Sequence, residues 1–197
     1  MRRFPPVAAV RTRLQSRPGH RLEPAETVRR AAVATILRER DGRTDVLFIR
    51  RAEHESDPWS GHMAFPGGRF DRKDPDLAHT AVRETLEEVG IDLRRDAEPV
   101  GELDDLPAMA RGRPVGLVIS PFVWAMRSDS PLVLNHEVTE AVWAPIEPLY
   151  RGERITTIDY PYEGRTLQLP GFDVEGRVVW GLTYQMLSLF FDRLRDD

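Results

Sequence analysis

Residues 67–91 read GGRFDRKDPDLAHTAVRETLEEVGI. Two glycines open the stretch, a polar segment follows, and the apolar positions then fall into helical spacing. Asp74 is placed to cap this helix, Pro75 suits its first turn and Gly90 its stop. The spacing predicts a helix over 75–89 that carries Glu84, Glu87 and Glu88 at i, i+3 and i+4. Those positions share one face within a single turn. Like charges so arranged destabilise a helix by a few tenths of a kcal/mol per pair. Arg83, four residues before Glu87, can pair with one of them. A divalent cation would neutralise the rest, and an all-oxygen donor set favours Mg2+ or Mn2+ over zinc. The other reading of the same glutamates is a solvated acidic helix face. Gly67 and Gly68 allow a sharp turn or a close approach of the backbone to a ligand.

Upstream of this stretch, residues 30–38 read as a strand, Asp41-Gly42 as a turn and 45–50 as the hairpin partner. Residues 52–60, with Asp57-Pro58, read as a loop, and 62–65 as a short strand ended by Pro66-Gly67-Gly68. Residues 4–28 read as an arm with a short helical pattern from Val7 to Leu14. Downstream, strands are expected near 97–103, 115–126 and 138–144, two or three more over 155–169 and 177–180, and a short helix over 146–151. The last helix is expected over 181–194, with Leu182, Met186, Leu189, Phe190 and Leu194 on one face. Met186 and its neighbours read as core or as a dimer surface. The order describes an α+β fold with a mixed sheet and few helices.

The chain has 197 residues, 41% of them hydrophobic and 30% charged, which suits one domain with a terminal extension. It has no cysteine, so thiolate zinc sites, iron–sulfur clusters, disulfides and cysteine nucleophiles are excluded. A formal net charge of −4 argues against a general nucleic-acid binder. No segment approaches the ~20 apolar residues of a membrane span. Residues 1–22 hold six arginines and no acid, a composition shared with transit peptides. Because Lys73 is the one lysine, arginine richness is a habit of the whole chain, and a cytoplasmic location is expected.

The diglycine loop, the helix bearing R-E-x-x-E-E and the closing Gly-Ile together resemble the Nudix box, G-x5-E-x7-R-E-U-x-E-E-x-G-U, with U bulky and apolar or Thr. Arg83-Glu84-Thr85-Leu86-Glu87-Glu88-Val89-Gly90-Ile91 fits every position of the second half. The first half departs from it. One residue is added between Gly68 and Arg83, and Asp74 is the nearest substitute for the box's first glutamate. The resemblance implies an α/β/α sandwich of the Nudix type, its mixed sheet flanked by the box helix and a C-terminal helix. The arm would then be 1–28 and the Nudix domain 29–197. It further implies hydrolysis of a nucleoside diphosphate linked to another moiety. Glu84, Glu87 and Glu88 would hold Mg2+ or Mn2+, and Arg83 would belong to the catalytic set. Glu84 is the candidate base within the box, and Glu137 or Glu140 outside it. The partner implied is a small-molecule nucleotide, with no nucleic acid, no membrane and a homodimer left open.

A second segment upstream resembles the coenzyme A pyrophosphatase subgroup, whose signature is L-L-T-x-R-[SA]-x3-R-x3-G-x3-F-P-G-G. Here Leu47-Phe48-Ile49-Arg50-Arg51-Ala52 and Gly61-His62-Met63-Ala64-Phe65-Pro66-Gly67-Gly68 match its two ends. The place of the second arginine falls at Ser56, and the spacing to Gly61 is one residue longer. Val179-Trp180-Gly181-Leu182-Thr183 resembles that subgroup's entry to its final helix. The resemblance implies CoA or acyl-CoA as substrate, bound through Arg50, Arg51, Gly67, Gly68 and Arg69. ADP-ribose, NADH or another nucleotide is the rival substrate, and a non-catalytic nucleotide-sensing module the rival class. Trp59, Phe65, Trp124, Trp143 and Trp180 are candidates to stack on a base, and Tyr160 and Tyr162 to line the acceptor side. His62 and His79 flank the box without metal spacing.

Overall fold

The computed structural model describes residues 3–23, 25–54, 59–110 and 112–195. Ser56 and the Asp57-Pro58 turn lie outside the described residues. The chain begins with helix α1 (Val7–Ser16) and the strands β1 (Arg29–Arg40) and β2 (Arg43–Arg51). Asp41 (φ 51°) and Gly42 (φ 72°) join the two strands, the left-handed pair a two-residue hairpin turn requires. Strands β3 (Met63–Ala64) and β4 (Gly67–Arg69) lead into helix α2 (Leu77–Val89). Then come α3 (Leu93–Asp96), β5 (Ala97–Glu102), β6 (Leu106–Ala110), β7 (Arg113–Met126), β8 (Val138–Pro145) and α4 (Ile146–Tyr150). The strands β9 (Ile155–Tyr162), β10 (Arg165–Val174) and β11 (Arg177–Trp180) precede the last helix, α5 (Gly181–Leu194).

Eight strands form the large sheet, ordered β3-β2-β1-β7-β5, with β4 on β1, β6 on β7 and β8 on β2. The sheet is mixed because β1 and β7 run parallel, Ala31 opposite Ile119 and Leu37 opposite Ala125. Strand β1 is buried without interruption from Ala31 to Leu37. Its alternate residues face different layers. Ala32, Ala34 and Ile36 pack with Ala81, Val82 and Val89 of α2. Ala31, Val33 and Leu37 pack in the cluster that holds α1 and α5. The architecture is therefore α+β in class, with helices on both faces of a mixed sheet. A second sheet, β11-β10-β9, lies beside it.

The described residues of segment 1–28, expected as an arm, contribute to the main core. Phe4, Val7, Val10 and Leu14 are buried in the same cluster as Phe190 and Phe191 of α5. Asp104 and Asp105 accept hydrogen bonds from the backbone of His20 and Leu22. On α5 Thr183, Met186, Leu187, Phe190, Phe191 and Leu194 are buried, and Leu182 and Leu189 of the expected face are partly buried and pack against the same core. These residues are spent inside the chain, not on a dimer surface. Strands β4 and β6 and helix α3 have no counterpart among the expected elements; Gly67-Gly68, expected to end a strand, pair with Val33 and Ala32 of β1. No helix among the described residues is long and apolar enough to cross a membrane.

Candidate active site

Helix α2 starts two residues later than expected, at Leu77, and its N-cap is Asp76, not Asp74. Asp76 accepts the His79 amide at 2.8 Å, which satisfies one of the free donors of the first turn. Asp74 is thereby released for another task. Its carboxylate takes both Nε and Nη2 of Arg83, each at 3.0 Å, the Thr80 hydroxyl at 2.8 Å and the Asp71 amide at 3.1 Å. This fork-on-fork pairing with Arg83, backed by the Thr80 bond, holds the Asp74 carboxyl down to about 2. Asp74 thus ties the loop after the diglycine to the middle of α2. The spacing carries a trace of this, because Thr80, Arg83 and Glu84 lie on one helical stripe below Asp74.

Arg83 is the hub of the face. Beyond Asp74 it donates to Glu84 at 2.9 Å, to Glu87 at 3.1 Å and to the Arg69 carbonyl at 3.2 Å. The diglycine sets the depth of the carboxylates. Gly67 has φ +152°, and a Cβ there would overlap the Ala32 carbonyl. A Cβ on Gly68 would overlap the Glu84 carboxylate. The Gly67 amide donates to Glu88 Oε2 at 2.8 Å. Glu88 is 2% exposed, and burial, with Glu84 adding, pushes its carboxyl up to about 8. Burial also raises Glu84, against the pull of Arg83. Glu87 stays at the surface.

Among the described residues, no group of three or more acidic or histidine side chains forms a ready metal cage. The donors nevertheless fit a hard cation. Glu84 and Glu88 are carboxylates whose charge is disfavoured first by burial and then by neighbouring acids, Glu87 and Glu137 for Glu84 and Glu84 and Glu137 for Glu88. Mg2+ takes few protein carboxylates and completes its shell with water and phosphate oxygens. A model of the NUDIX domain matches residues 18–161.

The chain belongs to the Nudix family.

A Nudix hydrolase named NudL, from Yersinia pestis, is 31% identical over 80% of this chain and 75% of its own length. An uncharacterized protein of Schizosaccharomyces pombe is 43% identical over 57% of this chain, and the match spans 35% of that protein. The NUDIX domain of NrtR from Shewanella oneidensis, solved as a cocrystal with ADP ribose, shares the fold with a TM-score of 0.57 at 17% identity. That match covers 93% of this chain and 98% of the NrtR domain. As a Nudix hydrolase the chain is a pyrophosphohydrolase, an enzyme of phosphoanhydride bonds.

The other expected Nudix site residues are divided by the fold. Glu137 faces the cluster, for its charge raises both Glu84 and Glu88. Its loop is stitched to α2 by the Val133 and Asn135 amides on the Val89 and Glu88 carbonyls, and to the residue after β2 by the Ala52 amide on the Glu137 carbonyl. Glu140 is instead ion-paired with Arg177, which holds its carboxyl low. It is not free to act as a base. Arg51 reaches the Nudix face, where its charge favours ionised Glu88. Arg50, its neighbour in the strand, points the other way, donating to the Gly61 carbonyl at 3.4 Å. Arg69 is exposed beside the diglycine and lends its carbonyl to Arg83.

The aromatic candidates also separate. Phe65 is stacked on Phe48 in the core, and Trp124 is 9% exposed within it. Trp143 lies under the Arg38 guanidinium and Trp59 packs on the core from its edge. Trp180 is half-buried and meets His62 and Tyr160. His79 is paired with Asp76 at the start of α2.

Proposed function

We propose that this Nudix hydrolase uses Mg2+ or Mn2+ to cleave the pyrophosphate of a nucleoside diphosphate linked to another moiety. The proposed substrate is CoA or an acyl-CoA. Water adds to one phosphorus, the bridging P–O bond breaks, and 3′,5′-ADP and 4′-phosphopantetheine or its acylated form leave. The observation that carries the reading is the packing of Glu84 and Glu88 against the backbone of Gly68 and Gly67. It seats the two carboxylates directly on the loop backbone, where side chains would otherwise stand.

Glu84, Glu87 and Glu88 would hold the metal, which supplies charge neutralisation and a lowered water pKa when bound. The chain itself supplies positioning. Arg83, locked by Asp74, fixes Glu84 and Glu87. Glu84, with its raised carboxyl, and the exposed Glu137 are the proton acceptors near the water. Arg51 and Arg69 are the proposed cations for the diphosphate. The segment Gly61-His62-Met63-Ala64-Phe65-Pro66-Gly67-Gly68 supports CoA over other nucleotides.

The test is product chromatography with Mg2+ and Mn2+ on CoA, 3′-dephospho-CoA, ADP-ribose, NADH and dATP. A Glu87→Gln/Glu88→Gln protein is the control. CoA should be cleaved, the 3′-phosphate should matter, and the double variant should lose turnover. Preference for ADP-ribose or NADH would replace CoA with the general dinucleotide class. Tight nucleotide binding without turnover would make the chain a sensing module.

A further inference from the structure

The face of the sheet that carries the carboxylates extends past them. Residues directly opposite one another on neighbouring strands place their side chains on the same face. Gly68 lies opposite Ala32 of β1, and Ala32 lies opposite Ser120 of β7. Glu84 stands where a Gly68 Cβ would point, and Ala32 packs in the α2 cluster. Ser120 and, two residues on, Phe122 therefore share the face of Glu84, and Phe122 packs against the α2 cluster as this requires. Arg30, two residues before Ala32, lies on that face as well. It is the diagonal neighbour of Gly68 across the antiparallel β1–β4 pair, about 7–8 Å away along the sheet.

A buried carboxylate anchors this part of the face. Asp105, whose side chain is fully buried, accepts from Arg21 Nη1 at 2.6 Å, from the Ser120 hydroxyl at 2.6 Å and from the Leu22 amide at 2.9 Å. Arg21 also donates to Glu102 at 2.5 Å and to the Leu103 carbonyl at 3.1 Å, and it lies over the Phe122 ring. Its donors are spent inside the fold. Arg30 differs. Its bond to Asp105 is 3.5 Å long, on a carboxylate that three closer donors already hold. Among the described residues its Nε is buried without a hydrogen-bond partner, and 34% of its side chain is exposed. A guanidinium carries five donors, and this one leaves most of them unused on the face of the site. A planar fork of such donors matches the oxygens of a phosphate.

We propose that Arg30 receives a phosphate monoester carried on the ribose of the substrate, and so sets a preference for CoA over its 3′-dephospho form. The proposal deepens the pyrophosphohydrolase reading and rests on it for the position of the diphosphate, one ribose away at Glu84 and Glu88. Its test is calorimetric titration with 3′,5′-ADP and with AMP, both in Mg2+, on wild-type protein, Arg30→Gln, Arg30→Lys and Arg29→Gln. Wild-type should bind 3′,5′-ADP at least about tenfold more tightly than AMP. Arg30→Gln should bring the two ligands within about twofold by weakening 3′,5′-ADP alone. Arg30→Lys keeps the charge without the fork and should fall between. Arg29→Gln removes the same charge from the opposite face, where Arg29 donates to the Val115 carbonyl, and should match wild-type. In turnover, Arg30→Gln should raise KM for CoA, spare kcat and leave KM for 3′-dephospho-CoA unchanged. A 3′-phosphate preference that persists in Arg30→Gln, or that wild-type lacks, overturns the subsite even where hydrolysis is normal. An Arg30-dependent preference without hydrolysis sinks the catalytic reading and keeps the subsite. Melting curves check folding; where Arg30→Gln does not fold, Arg30→Lys decides, and 3′,5′-ADP bound as tightly as by wild-type overturns the subsite.

Discussion

Two carboxylates of the site depart from ordinary acidity in opposite directions, and each departure has a consequence for stability. Asp74 is held at about 2 by Arg83, below its usual 3.8. Its contribution is present above pH 3.8 and is lost as pH falls through about 2. Glu88 is raised by burial from 4.5 to about 8. The folded state prefers its protonated form, so the contribution is complete below pH 4.5 and is lost as pH rises through about 8. A tenfold difference in proton affinity between folded and unfolded chain is worth about 1.4 kcal/mol, enough for either group to be seen in a melting curve. The metal-free protein should therefore melt at its highest temperature near pH 4 to 5, as judged from these two groups, and decline on both sides. Thermal denaturation in chelator across that range measures both limbs. Asp74→Asn should flatten the acid limb, and Glu88→Gln the alkaline one. Mg2+ added at pH 8 should restore wild-type protein and not Glu88→Gln. An alkaline limb that persists unchanged in Glu88→Gln would remove the burial of that carboxyl as its cause.

Helix α2 works only as a pair with the strand beneath it. Gly68 has no room for a Cβ because the Glu84 carboxylate stands there. Gly68→Ala should push that carboxylate aside, and a displacement of about 1 Å in such a site costs on the order of 10²-fold in rate. The melting temperature should change little by comparison, since Gly68 is only half-buried. Steady-state kinetics beside a melting curve separates the two effects; normal kcat in Gly68→Ala would show that Glu84 does not need its place on the strand. The helix, its glutamate face and its Gly90 stop are legible because they rest on spacing along one element. So are α5 and the β1–β2 hairpin. The cap is not, because Asp74 and Asp76 flank Pro75 and either could take the first turn; the choice falls to the Arg83 guanidinium, nine residues away from Asp74 and invisible to local pattern. Strand β6, LPAMA, lacks alternation and contains Pro107, so its pairing is dictated by the length of β7 beside it. Glu137 and Glu140 look equivalent in sequence, and only Arg177 on β11 tells them apart.

At the scale of the molecule the two faces of the sheet have different duties. The α2 face carries the carboxylates, and the opposite face, closed by α1 and α5, carries most of the core. The N-terminal segment reads as an arm because its arginines hide a stripe at Val7, Val10 and Leu14. That stripe is buried, and Leu14, 1% exposed, packs within 2.6 Å of where a Gly101 Cβ would stand. Close packing leaves no slack there, so Leu14→Ala should cost about 2–5 kcal/mol. For a chain of this size each kcal/mol moves the midpoint by about 2–4 °C, which puts the expected fall between about 4 and 20 °C. The carboxylates lie across the sheet from Leu14, so kcat measured well below the midpoint should stay at the wild-type value. Calorimetry and kinetics on this one variant decide between two accounts of residues 1–28. A large fall in midpoint with intact kcat makes the segment part of the structural core, as the packing of α1 on α5 and β5 requires. A small fall with altered kcat or KM would make it an appendage that acts on the site, and the burial of Phe4, Val7, Val10 and Leu14 would then be without energetic weight.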